Sequence, residues 1–344
     1  MAQNATYQDI ANYTGFSKTT ISRYFNRPET VTPENREKIR HALEVLNYKG
    51  NKVASILASG KTELLGLIVP NMYLSFYGEM VDRFMKSYER FGYKFIVFSG
   101  GDSEDSERQY IRELLSYQVE GLIVLSHTIP SYELASYRMP VVAIEREDLY
   151  ISSVNTDNYA GGASAARLLC DSGCGILLHI NKKGNDSRIP AYGRVEGFCN
   201  ICKEQNIPHE VLTYETETDY PDLEKKISAI LKHIIASWPD QRKGLFCSND
   251  SIANIVLNEL FRQNGRLPDD FRIVGFDGTA MSTRSVLPLS TVEQQLDLLV
   301  DNAMELLIEQ IRVKKDAGSG IPSTLPHEPR HRVIAPILRP RATT

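Results

Sequence analysis

Residues 6–26 read TYQDIANYTGFSKTTISRYFN, and this stretch decides the fold of the N-terminal end of the chain. Ile10 and Ala11 share one face of a short helix predicted over residues 7–12, and Gly15 follows where a helix should end. Ser17 is placed to cap a second helix over residues 18–24, because its hydroxyl accepts from a free backbone N–H. Two short helices around a glycine turn predict a helix-turn-helix.

A third helix is predicted from Thr32-Pro33, a capping residue followed by proline at the first helical position, to about Leu46. Ile39 and Leu43 on this helix face the same core as the first two. The packing leaves the second helix exposed, so that it can enter a major groove and meet base edges. A small helical bundle with charged solvent faces is the alternative explanation of these residues.

Charge is distributed unevenly between the two ends of the chain. Residues 1–61 hold nine Lys and Arg against five Asp and Glu, whereas the chain as a whole has a net charge of −4. A small basic unit joined to an acidic body is expected when only one end meets phosphate groups.

Composition narrows the class of protein. A chain of 344 residues with 42% hydrophobic and 24% charged residues is typical of two or three globular units. The start, MAQNATYQDI, has no export signal, and no apolar run is long enough to cross a bilayer, so we expect a cytoplasmic protein. Five cysteines make disulfides improbable, and the pair Cys199 and Cys202 has no second ligand pair, which favours packed thiols over a metal site.

From residue 64 onward, short apolar segments alternate with amphipathic helices. LLGLIVP, YKFIVFSG, GLIVLS and PVVAIE form a first series, and GILLHI, GLFCSN and RIVGFD belong to a second. This order predicts two lobes, each with a parallel sheet covered on both faces. Polar and aromatic residues collect at the carboxyl ends of these strands, where such sheets bind ligands. Aromatic faces together with carboxylate, amide and guanidinium groups suit the hydroxyls of a sugar.

Two sets of motifs resemble the lactose/galactose repressor family. The first consists of residues 6–26 and residues 31–59, VTPENREKIRHALEVLNYKGNKVASILAS. The second runs through the body: Asp157-Asn158 with Gly161-Gly162, Arg194-x-x-Gly197-Phe198, Asn249-Asp250, Val274-Gly275-Phe276-Asp277 and Leu289-Ser290-Thr291. The stretches NKKGNDSRIPAYGR, GGDSEDSERQYI and FDGTAM are similar to sucrose-type repressors within that family.

The resemblance implies roles for the N-terminal residues. Lys18, Thr19 and Arg23 would read bases. Contacts to phosphates, or side chains oriented toward them, are implied for Thr6, Tyr7, Ser17, Ser22, Asn26, Thr32 and Tyr48. Residues 51–58 would form a hinge helix that meets DNA through Asn51, Ala54 and Leu57, with Leu57 entering a minor-groove step. Gly50 replaces the proline that is common before this hinge, which loosens the lead-in.

The resemblance also implies an effector site between the lobes. Arg194 would clamp vicinal hydroxyls, Asp277 would accept from them, and Asn249 completes the preferred anchors. The further candidates are Tyr73, Phe76, Ser126, Arg146 and Gln294. Arg188 lies in the loop before Arg194, where an exposed loop arginine and a ligand contact are both possible roles. The effector is expected to be a small sugar or a sugar phosphate, acting as inducer or corepressor.

Taken together, these patterns predict an all-α helix-turn-helix headpiece at residues 1–50, a hinge helix and linker at 51–61, and a two-lobed α/β sensor of the periplasmic-binding-protein type at 62–344. The first lobe is expected to comprise about 62–158 and 293–325, and the second about 159–292 and 326–344. A helix over residues 296–314 should return to the first lobe, and a strand near 333–338 should close the second.

Two other classes of protein were weighed against a homodimeric repressor of sugar-utilisation genes. A secreted solute-binding protein would share the cleft, but it would need an export signal and would have no use for a basic headpiece. An enzyme is disfavoured because no G-x-G-x-x-G, G-x-S-x-G or Walker-type loop is present, and the seven histidines, including His127 and His179, lack metal-ligand spacing. The expected partners are double-stranded operator DNA, the effector and a second copy of the chain, without cofactor, metal or membrane.

Overall fold

The computed structural model describes residues 5–48, 61–100, 103–126, 128–146, 149–183, 189–215, 219–317 and 328–344. The chain divides into two compact units between Lys61 and Thr62, called here the headpiece and the body. The predicted hinge residues Asn51, Ala54 and Leu57, and Gly50 before them, lie outside the described residues. Within the described part of the chain, no helix is long and apolar enough to cross a membrane.

In its described residues, the headpiece has three α-helices and a short 3₁₀ turn over Pro28–Thr30. The helices are α1 (Tyr7–Thr14), α2 (Lys18–Asn26) and α3 (Pro33–Val45). Helix α1 ends at Gly15, whose φ of 73° lies in the left-handed region that glycine adopts without strain. Ile10, Ile21 and Ile39, one from each helix, are fully buried and belong to the same hydrophobic cluster. The predicted helix-turn-helix is therefore confirmed.

The first lobe of the body is built on a six-stranded parallel sheet. Its strands are β1 (Leu64–Val69), β2 (Lys94–Ser99), β3 (Gly121–Val124), β4 (Val141–Ile144), β5 (Ser152–Thr156) and β11 (His331–Ile334), in the order β11-β5-β4-β3-β1-β2. Helices α4 (Ser75–Lys86), α5 (Tyr88–Phe91), α6 (Glu104–Ser116), α7 (Ser131–Ser136) and α13 (Leu296–Ala317) belong to this lobe. Leu67 and Ile68 enter different hydrophobic clusters, because successive side chains of β1 point to opposite faces.

The second lobe repeats this architecture with another six-stranded sheet. Its strands are β6 (Ile176–Lys182), β7 (His209–Tyr214), β8 (Lys243–Cys247), β9 (Phe271–Asp277), β10 (Ser290–Glu293) and β12 (Ile337–Arg339), in the order β12-β10-β9-β8-β6-β7. Its helices are α8 (Asn158–Asp171), α9 (Tyr192–Glu204), α10 (Tyr220–Ser237), α11 (Asp250–Asn264) and α12 (Ala280–Arg284). Of the described strand pairings, only that of β10 with β12 is antiparallel. The predicted two-lobed α/β fold is confirmed.

The C-terminal strands correct one prediction. A single strand over residues 333–338 was expected to close the second lobe, but β11 pairs with β5 in the first lobe and β12 pairs with β10 in the second. Residues 331–334 therefore belong to the first lobe. Ala335-Pro336 separates the two strands, and proline has no backbone N–H to donate to a ladder, which favours a break between strands at this point.

Three segments of the described chain cross between the lobes, after β5, after β10 and after β11. They lie side by side: the N–H of Asp157 donates to the carbonyl of Ile334 at 2.9 Å, and Nε2 of Gln295 donates to the carbonyl of Ala335 at 2.6 Å. Helix α13 returns to the first lobe as predicted, burying Leu299 and Leu307 in the same cluster as Leu67. Adjacent crossings of this kind act as a hinge between two lobes.

Candidate functional site

The outer face of α2 carries the three predicted base-reading residues. Lys18, Thr19 and Arg23 are exposed, whereas Ile21 on the opposite face is fully buried. Thr19 and Arg23 are four residues apart and therefore lie one above the other on the same side of the helix. The helix thus presents three hydrogen-bond donors on its exposed face, two of them on long cationic side chains.

Helix N-caps account for three of the predicted phosphate-contacting residues. Thr6 caps α1 and accepts from the N–H of Asp9 at 3.4 Å, Ser17 caps α2 and accepts from the N–H of Thr20 at 3.1 Å, and Thr32 caps α3. The N–H groups that are still free at the N-terminus of a helix, together with the positive end of the helix dipole, favour binding of an anion there. Capping and phosphate contact are compatible roles for these hydroxyl side chains.

An aromatic cluster supports the N-terminal end of α1. The ring of Tyr7 stacks on that of Phe25 with centroids 5.1 Å apart, and Tyr48 lies 6.0 Å from Tyr7. Burial raises the pKa of Tyr7, and the neighbouring Tyr48 adds to the increase. Ser22 is half-buried on α2, and Asn26 is the last residue of that helix. Tyr7 and Tyr48 are therefore held by ring packing.

A cavity of about 110 Å³ lies between the two lobes, beyond the carboxyl ends of their strands. Phe76, Arg194, Asn249, Asp277 and Gln294, all predicted effector residues, line it. The other lining residues are Leu74, Tyr77, Leu125, Ile144, Glu145 and Ala191. Tyr73, Ser126 and Arg146 were also predicted, but they are not among the lining residues. The cavity therefore combines apolar walls with a small set of convergent polar groups.

Arg194 is held firmly by its neighbours. Its Nε donates to Oδ1 of Asn158 at 2.7 Å, and its Nη1 donates to the carbonyl of Ser248 at 2.7 Å. The guanidinium carbon lies 3.6 Å from the centre of the Phe276 ring, and Nη2 is 3.7 Å from Oε2 of Glu145. The side chain is buried, so these partners fix its orientation toward the cavity.

Glycines make this placement of Arg194 possible. A Cβ on Gly162 of α8 would lie 2.1 Å from the carbonyl oxygen of Arg194, and one on Gly197 of α9 would lie 2.1 Å from that of Tyr159. Any side chain at either position would force α8 and α9 apart. The close approach of these two helices brings Arg194 within hydrogen-bonding distance of Asn158, the first residue of α8.

Asp277 and Gln294 form the other polar side of the cavity. Nε2 of Gln294 donates to Oδ1 of Asp277 at 2.5 Å, while Oε1 of Gln294 accepts from the hydroxyl of Thr156 in the first lobe at 2.7 Å. Asp277 has φ of 102°, a conformation that non-glycine residues rarely adopt and that is often found at functional sites. Burial raises the pKa of the Asp277 carboxyl well above its usual range; Arg194 opposes the increase, whereas Asp250 and Glu145 add to it.

Asn249 and Asp250 begin helix α11 and have different roles. Oδ1 of Asn249 accepts from the N–H of Ile252 at 2.9 Å, which caps the helix and turns the amide toward the cavity that it lines. Asp250 is buried and accepts from the N–H and hydroxyl of Thr279 and from the hydroxyl of Thr291. Burial raises the pKa of Asp250 to about 6. Asp250 thus ties the segment that follows Asp277 to strand β10.

Glu145 is a lining residue that the sequence analysis did not select. Its Oε1 accepts from the N–H of Thr156 at 2.6 Å, and its Oε2 accepts from Nδ2 of Asn158 at 2.8 Å. The adjacent Arg146, which was selected, donates instead to the carbonyls of Ser126 and Ile129, and the hydroxyl of Ser126 donates to Glu107 at 2.6 Å. Neighbouring residues at a strand end point in opposite directions, so the sequence showed a polar pair without indicating which member faces the ligand.

The remaining sequence candidates have structural roles or lie outside the described residues. Cys199 and Cys202 lie on α9, and burial raises the pKa of the Cys202 thiol to about 12. In the described part of the chain, no group of three or more His, Cys, Asp or Glu side chains could hold a metal ion. His179 is fully buried, with Nδ1 2.9 Å from the carbonyl oxygen of Phe246. His127 and Arg188 lie outside the described residues.

Comparison with known proteins identifies the family. Residues 6–51 match the bacterial regulatory proteins of the lacI family, and residues 166–344 match the periplasmic binding protein-like domain. The sucrose operon repressor of Pediococcus pentosaceus is 31% identical over 326 residues, which cover 92% of this chain and 95% of that protein. The chain belongs to the LacI family.

Two further matches agree with this LacI-family assignment. The ribose operon repressor of Halalkalibacterium halodurans is 30% identical over 90% of this chain and 91% of its own length. The structure of the lac repressor dimer bound to operator and the anti-inducer ONPF superposes with a TM-score of 0.79 at 20% identity, covering 99% of both chains, and so shares the fold. The matched relatives are transcriptional repressors, as the sequence analysis predicted, and this LacI-family chain is a DNA-binding transcriptional repressor, not an enzyme.

Proposed function

We propose that this repressor controls sugar-utilisation genes and that a small sugar or sugar phosphate, bound between the lobes, changes its affinity for operator DNA. The observation that carries the proposal is the cavity lined by Phe76, Arg194, Asn249, Asp277 and Gln294. Its polar groups approach from both lobes and from a crossing segment, so a ligand that engages them all favours one arrangement of the lobes.

The chemistry of the lining supports a polyhydroxylated ligand. Asp277 offers a carboxylate acceptor, Arg194 and Asn249 offer donors, and Phe76 and Leu74 supply apolar walls for the carbon face of a sugar ring. The names of two relatives, repressors of a sucrose operon and of a ribose operon, point to the same class of gene.

On the DNA side, we assign base contacts to Lys18, Thr19 and Arg23, which are exposed on α2. Phosphate contacts or orientation toward phosphates are assigned to Thr6, Tyr7, Ser17, Ser22, Asn26, Thr32 and Tyr48. The hinge helix is assigned to residues 51–58 with Asn51, Ala54 and Leu57 at the minor groove, outside the described residues. The functional protein is proposed to be a cytoplasmic homodimer that places two α2 helices on a near-palindromic site.

A selection experiment tests this proposal. The full-length protein is incubated with random-sequence duplexes, with and without a panel of sugars and sugar phosphates, and the enriched duplexes are sequenced. We expect a pseudo-palindromic sequence to be enriched and its recovery to change with at least one compound of the panel. Recovery of the same sequence under all conditions would contradict effector control, and enrichment of no sequence would contradict specific DNA recognition.

A further inference from the structure

The charges around the cavity discriminate between the two classes of effector. Among the described lining residues, the carboxylates are those of Glu145 and Asp277, and the cation is that of Arg194. Asp250 is almost fully buried, and together with Glu145 it disfavours a further negative charge at the position of Asp277, where burial already raises the pKa. Acidic groups therefore outnumber cations among the described lining residues, and a ligand that brings a further negative charge is disfavoured.

The guanidinium of Arg194 is already engaged by protein groups, through hydrogen bonds from two of its five N–H groups and an ion pair. Its Nε and Nη1 each make a 2.7 Å hydrogen bond, to Asn158 and to the carbonyl of Ser248, and its Nη2 is 3.7 Å from Oε2 of Glu145. The carboxylate of Glu145 beside Nη2 offsets the charge of the guanidinium, so a phosphate bound to this arginine would lie close to a second negative charge. The three N–H groups that remain, on Nη1 and Nη2, can donate to the hydroxyl oxygens of an uncharged ligand.

Two other cations of the body have acidic partners of their own. Arg83 faces a separate cavity, bordered by Asp277 and Asp297, and forms ion pairs with Glu79 at 3.2 Å and with Asp297 at 2.9 Å. Lys183, at the end of β6, pairs with Glu215 at 2.7 Å. Neither of these side chains lines the cavity between the lobes.

A neutral sugar matches the groups that this cavity offers. Oδ1 of Asp277 already accepts a hydrogen bond from Nε2 of Gln294. Oδ2 of Asp277 has no hydrogen-bond partner among the described residues and can accept from a hydroxyl of the ligand. Oδ1 of Asn249 is used in capping α11, so its Nδ2 is the group that can donate to a ligand. The volume of about 110 Å³ is far below the roughly 300–1,000 Å³ typical of sites for drug-sized ligands, which favours a single sugar ring.

We infer that the effector is an uncharged monosaccharide, and that Asp277 and Glu145 exclude sugar phosphates and sugar acids. The inference rests on the proposed function and narrows its ligand class. Like charges brought together in a binding site cost several kcal/mol, so a phosphate ester should bind at least about 100-fold more weakly than its parent sugar.

Calorimetric titration of the full-length protein with matched pairs tests the inference. The pairs are D-glucose and glucose 6-phosphate, D-fructose and fructose 6-phosphate, and D-ribose and ribose 5-phosphate, with sucrose and sucrose 6-phosphate as a two-ring pair. We expect one free monosaccharide to bind and its ester to bind at least about 100-fold more weakly. A phosphate ester, or a member of the sucrose pair, that binds as tightly as the best monosaccharide overturns the inference and leaves the proposed function standing. No binding by any compound overturns both.

Asp277→Asn sharpens the test, because an asparagine Oδ1 still accepts from Gln294 while the charge is removed. The preference for the free sugar over its ester should fall about tenfold or more. Asp269→Asn removes an equal charge from a side chain that is 82% exposed and pairs with Arg266, and it should leave the preference unchanged. If Asp277→Asn prefers the free sugar over its ester as strongly as the wild type does, the charge of Asp277 does not exclude the ester. The comparison of each pair in the wild-type protein decides the inference even where a variant folds poorly.

Discussion

The outer face of α2 and the cavity between the lobes are built for opposite kinds of ligand. On α2, Lys18, Thr19 and Arg23 are exposed. In the cavity, Arg194 and Asp277 are less than a tenth exposed and are held by hydrogen bonds to other protein groups. DNA is large and highly charged, so an exposed basic surface suffices to attract it, whereas a small ligand is bound only where its few partners are fixed in advance.

Because the two regions differ in this way, substitutions in them should have different effects. If the exposed side chains of α2 contact DNA as proposed, each should contribute a separable amount of affinity, because each depends little on its neighbours. The cavity side chains share partners, so removal of one disturbs the others. Effects at the cavity should therefore be large and cooperative, and effects on α2 should be moderate and additive.

The largest effect is expected from Gly197→Ala. The added Cβ would lie 2.1 Å from the carbonyl oxygen of Tyr159 and 2.9 Å from the N–H nitrogen of Ala163, and backbone cannot yield as a side chain does. We expect a loss of at least about 3 kcal/mol in the free energy of unfolding of the body, measured by urea denaturation, together with loss of effector binding. Gly78→Ala on α4 is the control, since its Cβ would meet no atom within 4 Å. It should leave stability unchanged or raise it by about 0.5–1 kcal/mol. Equal midpoints for the two variants would contradict the packing argument.

Replacement of Asp277 comes next. Asp277→Ala removes the acceptor of Gln294 and the cavity carboxylate, and effector affinity should fall at least about 100-fold in calorimetry, with operator affinity in the absence of effector within about twofold of the wild type. Alanine at this position would also be strained by the φ of 102°, whereas glycine adopts this φ freely. Asp277→Gly therefore shows the effect of losing the carboxylate without added backbone strain. Normal effector affinity in Asp277→Gly would show that the carboxylate is not an anchor.

A moderate effect is expected on α2. Arg23→Ala should weaken binding to the selected operator by about 1–3 kcal/mol and broaden the sequences recovered, because it removes the base contact proposed for Arg23. Arg40→Ala on α3 is the matched control, with the same loss of charge from an exposed side chain that pairs with Glu37. The assignment of Arg23 fails if the two variants lose equal affinity with unchanged sequence preference.

The smallest effect concerns pH. Burial lowers the pKa of His179 to about 4, so the unfolded chain binds a proton more readily than the folded chain. This residue stabilises the fold fully above its unfolded pKa of about 6.5, and the contribution is lost as the pH falls through about 4. Urea unfolding should show a loss on the order of 1 kcal/mol between pH 6.5 and 5 in the wild type. His179→Phe preserves ring stacking on Phe246 and should lack this loss. If the free energy of unfolding changed with pH in the same way in both proteins, this role of His179 would be contradicted.

The architecture could be predicted from the sequence, but the direction in which every side chain points could not. Capping residues such as Ser17 and Thr32, and the apolar strands of the body, predicted the helix-turn-helix and the two sheets because these signals are local. Strand β5 was not predicted, since its sequence SSVNT is short and mostly polar and is buried by its neighbours in the sheet. The separate pairing of β11 and β12, and the choice of Glu145 over Arg146, depend on tertiary contacts that no local pattern encodes.

The most direct test of the account is the reciprocity of the two sites. Effector affinity of the full-length protein is measured by calorimetry with and without saturating operator duplex, using the monosaccharide that binds from the panel. We expect the affinity to change at least about fivefold, and by the same factor by which that sugar changes operator affinity, because linked binding equilibria must agree. Equal sugar affinity for the free and the operator-bound protein would contradict the claim that the cavity governs DNA binding.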